Sequence, residues 1–176
     1  MKKYIYLIIA IIVMGIVYIN VNAESVVIPD SAIRVRVIAN SNSLEDVNMK
    51  LKVTEYLQEY LSPILVDASS IGEARMIIES KLDEINTDVG RIFEDSHYDM
   101  KFNVNFGDNY FPNKEYKGVK YKAGNYESLV VTIGTGSGDN WWCVLFPPLC
   151  LLDATDSDSS DVEYKLWVQE LIEKYF

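Results

Sequence analysis

"IRVRVIANSNSLED", residues 33–46, decides the fold. Its first part alternates Ile33, Val35 and Val37 against Arg34 and Arg36, the period-two pattern of a strand with one buried face. A half-buried strand is therefore expected over residues 33–40. The period then changes. Ser43 stands three residues before Asp46, close to a capping box, and Leu44, Val47, Leu51, Leu57 and Leu61 follow near helical spacing. That spacing predicts a helix from Leu44 to about Leu61, ended by Pro63.

Downstream, Ser70 and Glu73 make a second capping box. Ile71, Ala74, Ile78, Ile85, Val89 and Ile92 then predict a long helix to about Glu94. "HYDMKFNVNF", residues 97–106, alternates Tyr98, Met100, Phe102, Val104 and Phe106, as a strand with a polar outer face does. Residues 107–127, rich in Gly, Asn, Tyr and Lys, read as a loop or ragged hairpin. "SLVVTIG" (128–134) is a short, mostly buried strand, "GTGSGDN" (134–140) a flexible turn, and "WWCVLF" (141–146) a fourth strand paired with the third. "DATDSDSSD" (153–161) reads as a mobile acidic linker. Residues 162–176 form a terminal amphipathic helix with Leu166 and Ile172 inward. The order βααβββα implies an α+β fold: about four strands, mostly antiparallel, with helices packed on one face.

Upstream lies the compartment signal. Lys2 and Lys3 precede an uncharged apolar run from Tyr4 to Ile19, and "NVNAE" places Val21 and Ala23 where a signal peptidase reads small or apolar residues. Residues 1–23 thus read as an export signal cleaved after Ala23, the other reading being an uncleaved anchor. Either way the remainder is exported and touches membrane only through this segment. Residues 24–152 are the exported domain. Loss of Lys2 and Lys3 moves the net charge from −10 to −12. Nucleic acid is a poor partner for such a chain, because phosphate binding needs clustered Lys and Arg.

"GDNWWCVLFPPLC", residues 138–150, holds both cysteines of the chain. In an oxidising compartment Cys143 and Cys150 read most simply as one disulfide. Closing that loop contributes roughly 2.5 kcal/mol by loop entropy. A bridge between two copies, giving a homodimer, is the other pairing two thiols allow. Pro147 and Pro148 reverse the chain inside the loop, and the Phe146–Pro147 bond is expected to be trans, the majority state. Trp141 and Trp142 must point to opposite faces of a strand. Trp142 is expected to be the buried one, beside Val144 and Phe146. The other tryptophan suits an interface.

Catalytic patterns are weak. His97 is the one histidine, and nothing local pairs it with Cys143. C-x6-C is not a zinc spacing, so no metal is expected. "GTGSG" has Thr135, not Gly, two residues before Ser137 and is no nucleophile elbow. It opens no helix and is no dinucleotide fingerprint. No cofactor is implied. A secreted hydrolase using a cysteine or a carboxylate pair is the competing reading from another class.

"IRVRVIANSNSLED", "FPNKEYKGVKYKAGNYESL" and above all "GDNWWCVLFPPLC" resemble the stage II sporulation protein R family, over about residues 28–153. The resemblance implies a non-enzymatic signal, made in the forespore and exported into the space between the forespore and mother-cell membranes. Its implied partner is the extracytoplasmic part of a membrane-bound aspartic protease, which then removes the pro-sequence of an early mother-cell sigma factor. This chain carries Thr135 and Ser137 in a glycine turn where the family is associated with a charged residue, so no charge-based role is carried to that turn. The surface expected to dock is Asn140, Trp141 and Trp142 with the Phe146, Pro147 and Pro148 loop. Arg34, Arg36 and Asn40 form a second patch.

Cleavage after Ala23 predicts that N-terminal sequencing of the exported protein begins at Glu24. Recovery only in membranes, with Met1 intact, would identify the segment as an anchor.

Overall fold

The strand beginning at Ile33 lies inside the sheet, not at its border. A computed structural model describes residues 27–116, 119–150 and 161–176, with Tyr4, Tyr6 and Met14 besides; side chains are described from residue 166 onward in the last segment. The expected signal, its cleavage residues Val21 and Ala23, and the linker over 153–160 lie outside the described residues. The strands are β1 (Ile33–Ile38), β2 (Phe102–Phe111), β3 (Lys114–Tyr116), β4 (Val119–Tyr121), β5 (Gly124–Ile133) and β6 (Asn140–Phe146). A four-stranded sheet has the order β2-β5-β1-β6, and β3 and β4 form a separate hairpin. β1 runs parallel to β5 and antiparallel to β6; β2 and β5 are antiparallel over ten residues. The architecture is α+β, as expected.

Four strand expectations are corrected. β6 pairs with β1 and not with the strand before it. β2 begins at Phe102, because residues 96–100 use their backbone to end the preceding helix: His97 sits at φ 52° and Tyr98 N–H donates to Phe93 O at 2.9 Å. The stretch expected to be a loop extends β2 to Phe111, starts β5 at Gly124 and holds the small hairpin between them. β1 is not half-buried either, since only Arg36 of its six residues is more than slightly exposed.

Helices α1 (Leu44–Leu65) and α2 (Ile71–Asp95) cover one face. Ser43 and Ser70 cap them, each hydroxyl accepting from the backbone N–H three residues on. Glu73 closes its box one residue early, its carboxylate accepting from Ser69 N–H and Oγ–H at 2.8 and 2.6 Å. Pro63 lies inside the last turn of α1 and does not end it, because only one backbone bond is forfeited there. The buried stripe of α1 is Met49, Val53, Leu57, Leu61 and Leu65, whereas Leu44 and Leu51 face solvent. These residues pack with Ile78, Ile85 and Val89 of α2 on Ile33, Val35, Val37, Leu129, Val131 and Ile133. A smaller cluster unites Ile28, Ala32, Val119, Val144 and Leu149 with Val168 of α3 (Asp161–Tyr175). Val168 is the buried anchor of α3; Ile172 is half-buried and Leu166 is exposed.

The β1–α1 and β5–β6 turns lock together. Asp46, buried, accepts from Asn40 Nδ2 at 3.0 Å, from Ser41 Oγ and from the Tyr98 hydroxyl. Asn40 Oδ1 in turn accepts from Thr135 N–H at 3.0 Å, and Asn40 O accepts from Ser137 N–H at 3.0 Å. Asn42 Oδ1 accepts from Asp139 N–H at 2.7 Å. Gly134 has φ 55°, and a Cβ there would collide with the Asn40 side chain. Asn40, expected in a docking patch, is thus held within this junction.

The bonds from Ser41 and then Tyr98 hold the Asp46 carboxyl down at about 2. An unfolded aspartate titrates near 4, so this stabilisation is complete above about pH 4 and is lost as pH falls through about 2. Asp46→Asn should cost about 2 kcal/mol at pH 7 in urea denaturation. The difference from wild type should narrow between pH 4 and 2; a pH-independent difference would contradict the assignment.

Candidate functional site

The face of the sheet opposite α1 and α2 is built around a charge. Arg34, on interior strand β1, is only 2% exposed. Period-two alternation turns it away from the helices, and the long β2–β5 pair brings aromatic rings over it. Its guanidinium carbon lies 3.4 Å from the centroid of Tyr126, 5.3 Å from Phe111 and 5.8 Å from Tyr121. Such cation–π contacts, desolvated, contribute about 2 kcal/mol or more. Arg34 forms no ion pair among the described residues, and its Nε and Nη2 have no hydrogen-bond partner there. Burial pushes its pKa below the ordinary value, offset in part by Tyr126, Tyr121 and Asp30.

One register step along, Arg36 lies 4.5 Å over the Trp142 ring, and Trp142 meets Phe111 edge-on at 4.8 Å. Lys114 Nζ stands 5.9 Å from the same indole. The β3–β4 hairpin folds over this face with Val119 buried, fastened to the N-terminal segment by Ile28 N–H donating to Lys120 O at 3.3 Å. Between hairpin and sheet is a cleft of about 320 Å³. Arg34, Phe111, Lys114, Tyr121, Asn140, Trp141, Trp142 and Cys143 are among its lining residues. Asn140 Oδ1 is buried and without a hydrogen-bond partner among the described residues.

The fold thus gathers Asn140, Trp141, Trp142 and Arg34 in one place, with Arg36 stacked on Trp142. Asn40 does not join them. Phe146, Pro147 and Pro148 are buried and present no accessible face. The Phe146–Pro147 bond is cis. Cys143 and Cys150 are joined within the chain, Cα atoms 5.7 Å apart. The cysteine-nucleophile reading is therefore corrected: Cys143 is a disulfide, and His97 is exposed in the turn after α2. The two tryptophans do face opposite ways, but both are half-buried. Trp141 packs against the helix-side core, and Trp142 lines the cleft. A bulge opposite Ile33 and Arg34 skips Leu145 and turns Phe146 onto the helix side, so it does not share the Trp142 face. Sequence reasoning missed Phe111, Lys114, Tyr121 and Tyr126. Their signal was the aromatic and lysine content of a segment whose polarity reads as loop.

A family profile described as Stage II sporulation protein R (spore_II_R) matches residues 29–156. A protein of Bacillus subtilis (strain 168) named Stage II sporulation protein R is 41% identical over 136 residues, 77% of this chain and 61% of that protein. The chain therefore spans about three-fifths of that relative's length. No solved structure matches the chain.

Burial separates two neighbouring aromatics. Phe146→Ala should cost about 3 to 5 kcal/mol, as core aromatic truncations do. Trp142→Ala should cost only about 1 to 2 kcal/mol, the worth of its ring and cation contacts. Equal losses in urea denaturation would place Trp142 in the core.

Proposed function

The chain belongs to the stage II sporulation protein R family, so its role lies in sporulation and not in enzymatic catalysis, and from this we propose that it is an exported signal that activates a membrane-bound aspartic protease of the mother cell. On this reading it is made in the forespore and crosses into the intermembrane space. There it binds the extracytoplasmic part of the protease, which then processes the early mother-cell pro-sigma factor. An activator of this kind works by binding the active state of its target better than the inactive one. It needs a stable, preformed recognition surface and no reactive group of its own.

The observation that carries this reading is the aromatic cleft with half-buried Trp142 in its wall. Half-buried tryptophan and arginine beside a fully packed core are the residue types that anchor protein interfaces. β6 is fastened in two places beside it: the disulfide ties Cys143, mid-strand, to Cys150 after the strand, and the turn junction holds its Asn140 end. Rigid surfaces lose little freedom on binding.

The test is reconstitution of the exported protein with protease-containing membranes and pro-sigma substrate. Wild type should give processed sigma factor. Trp142→Ala, with most of its stability retained, should lower activation at least about tenfold, as loss of an interface anchor does. Failure of wild type to activate would overturn the reading, and full activity of Trp142→Ala would move the docking surface elsewhere.

A further inference from the structure

A strand's side chains alternate between faces. A cleft touched by four consecutive residues, Asn140 to Cys143, therefore extends from the hairpin-covered face to the edge of β6. β6 is the terminal strand of the sheet, and its outer edge pairs with no other strand among the described residues. An unpaired edge presents a row of backbone donors and acceptors that an extended segment can complete. The cleft beside it contains Arg34, 98% buried, with two guanidinium nitrogens unpaired among the described residues. In a chain of net charge −10, this spot collects Arg34, Arg36 and Lys114. Asp30 reaches the Tyr126 hydroxyl at 3.4 Å but forms no ion pair with Arg34. A buried cation without a paired anion is costly, and a planar fork of donors is suited to a carboxylate.

We infer that the cleft takes an extended, carboxylate-bearing segment of the partner protein, which adds as a strand to the free edge of β6 and sets its carboxylate on Arg34. The aromatic walls from Phe111, Tyr121 and Trp142 exclude water from that pair. Backbone pairing supplies register, and the carboxylate supplies selectivity. This deepens the reading above, since it names the chemistry of the segment the protease would offer.

The experiment uses the exported protein and a display library of random octapeptides, so that no protease is needed. Selected peptides should be enriched at least threefold in Asp or Glu at one register position over the starting library. Resynthesis with Asn or Gln at that position should weaken binding at least tenfold, read by tryptophan fluorescence. Hydrogen exchange of the β6 amides should slow when the acidic peptide is bound. Arg34→Gln should abolish the acid preference. If that variant does not fold, the acid-to-amide comparison on wild type still decides. Selection without acid preference, equal affinity of acid and amide peptides, or unchanged exchange in β6 would overturn the inference. So would a dimer that blocks peptide binding, which would assign the edge to a second copy. Activation of the protease without any acidic-peptide preference would sink the inference alone. Acidic-peptide binding without protease activation would sink the proposed function alone.

Discussion

The turn from Gly134 to Asp139 has to step over the end of another strand. β5 and β6 are joined by six residues, yet β1 lies between them in the sheet. Spanning two strand spacings means about 10 Å, which six residues could cover with slack, yet the turn is held close against the end of β1. Asn40 and Asp46 do the holding. One carboxylate and one amide satisfy the turns on both sides, and Tyr98 delivers the end of α2 to the same point. Remove that polar centre and nothing local obliges β6 to lie beside β1.

Placing β1 inside the sheet has a consequence for charge. Both of its faces are covered, one by α1 and α2, the other by rings from β2, β4 and β5. Arg34 falls on the second face and is only 2% exposed, at the wall of the cleft. The rings offer it their negative faces, which lowers the cost of burial without satisfying its N–H groups. The same arrangement that makes β1 a core strand therefore creates a cationic, aromatic cleft next to an open sheet edge. Structure and recognition share one cause.

β6 is an edge strand and would fray if left alone. Its two ends are treated differently. The Asn140 end leaves the glycine turn pinned to Asn40 and Asn42, and the Phe146 end is fixed by the disulfide, the buried prolines and the ring of Tyr175 at 4.8 Å. Between these anchors the strand can keep its outer edge unpaired and still hold its shape. That combination is what a surface awaiting a partner requires.

The residues by themselves determined much of this protein. Period changes at residues 33–46, two serine caps and the proximity of Cys143 and Cys150 are local facts, each readable within a turn or two of chain. They yield the α+β class, both long helices, the tryptophans on opposite faces, and Asn140, Trp141, Trp142 and Arg34 among the residues of interest. What only the tertiary structure decided is non-local. A pattern of alternation tells which residues share a face but not which strand lies alongside, so the β6–β1 pairing was not legible. Polarity assigns arginine to solvent by default, and only rings far along the chain reverse that for Arg34. Asn40 reads as a surface amide until the glycine turn closes over it, and "FPP" reads as an exposed loop until the cores pack around it. In each case the deciding partner is distant in sequence, and the energy of burial depends on neighbours that no local pattern records.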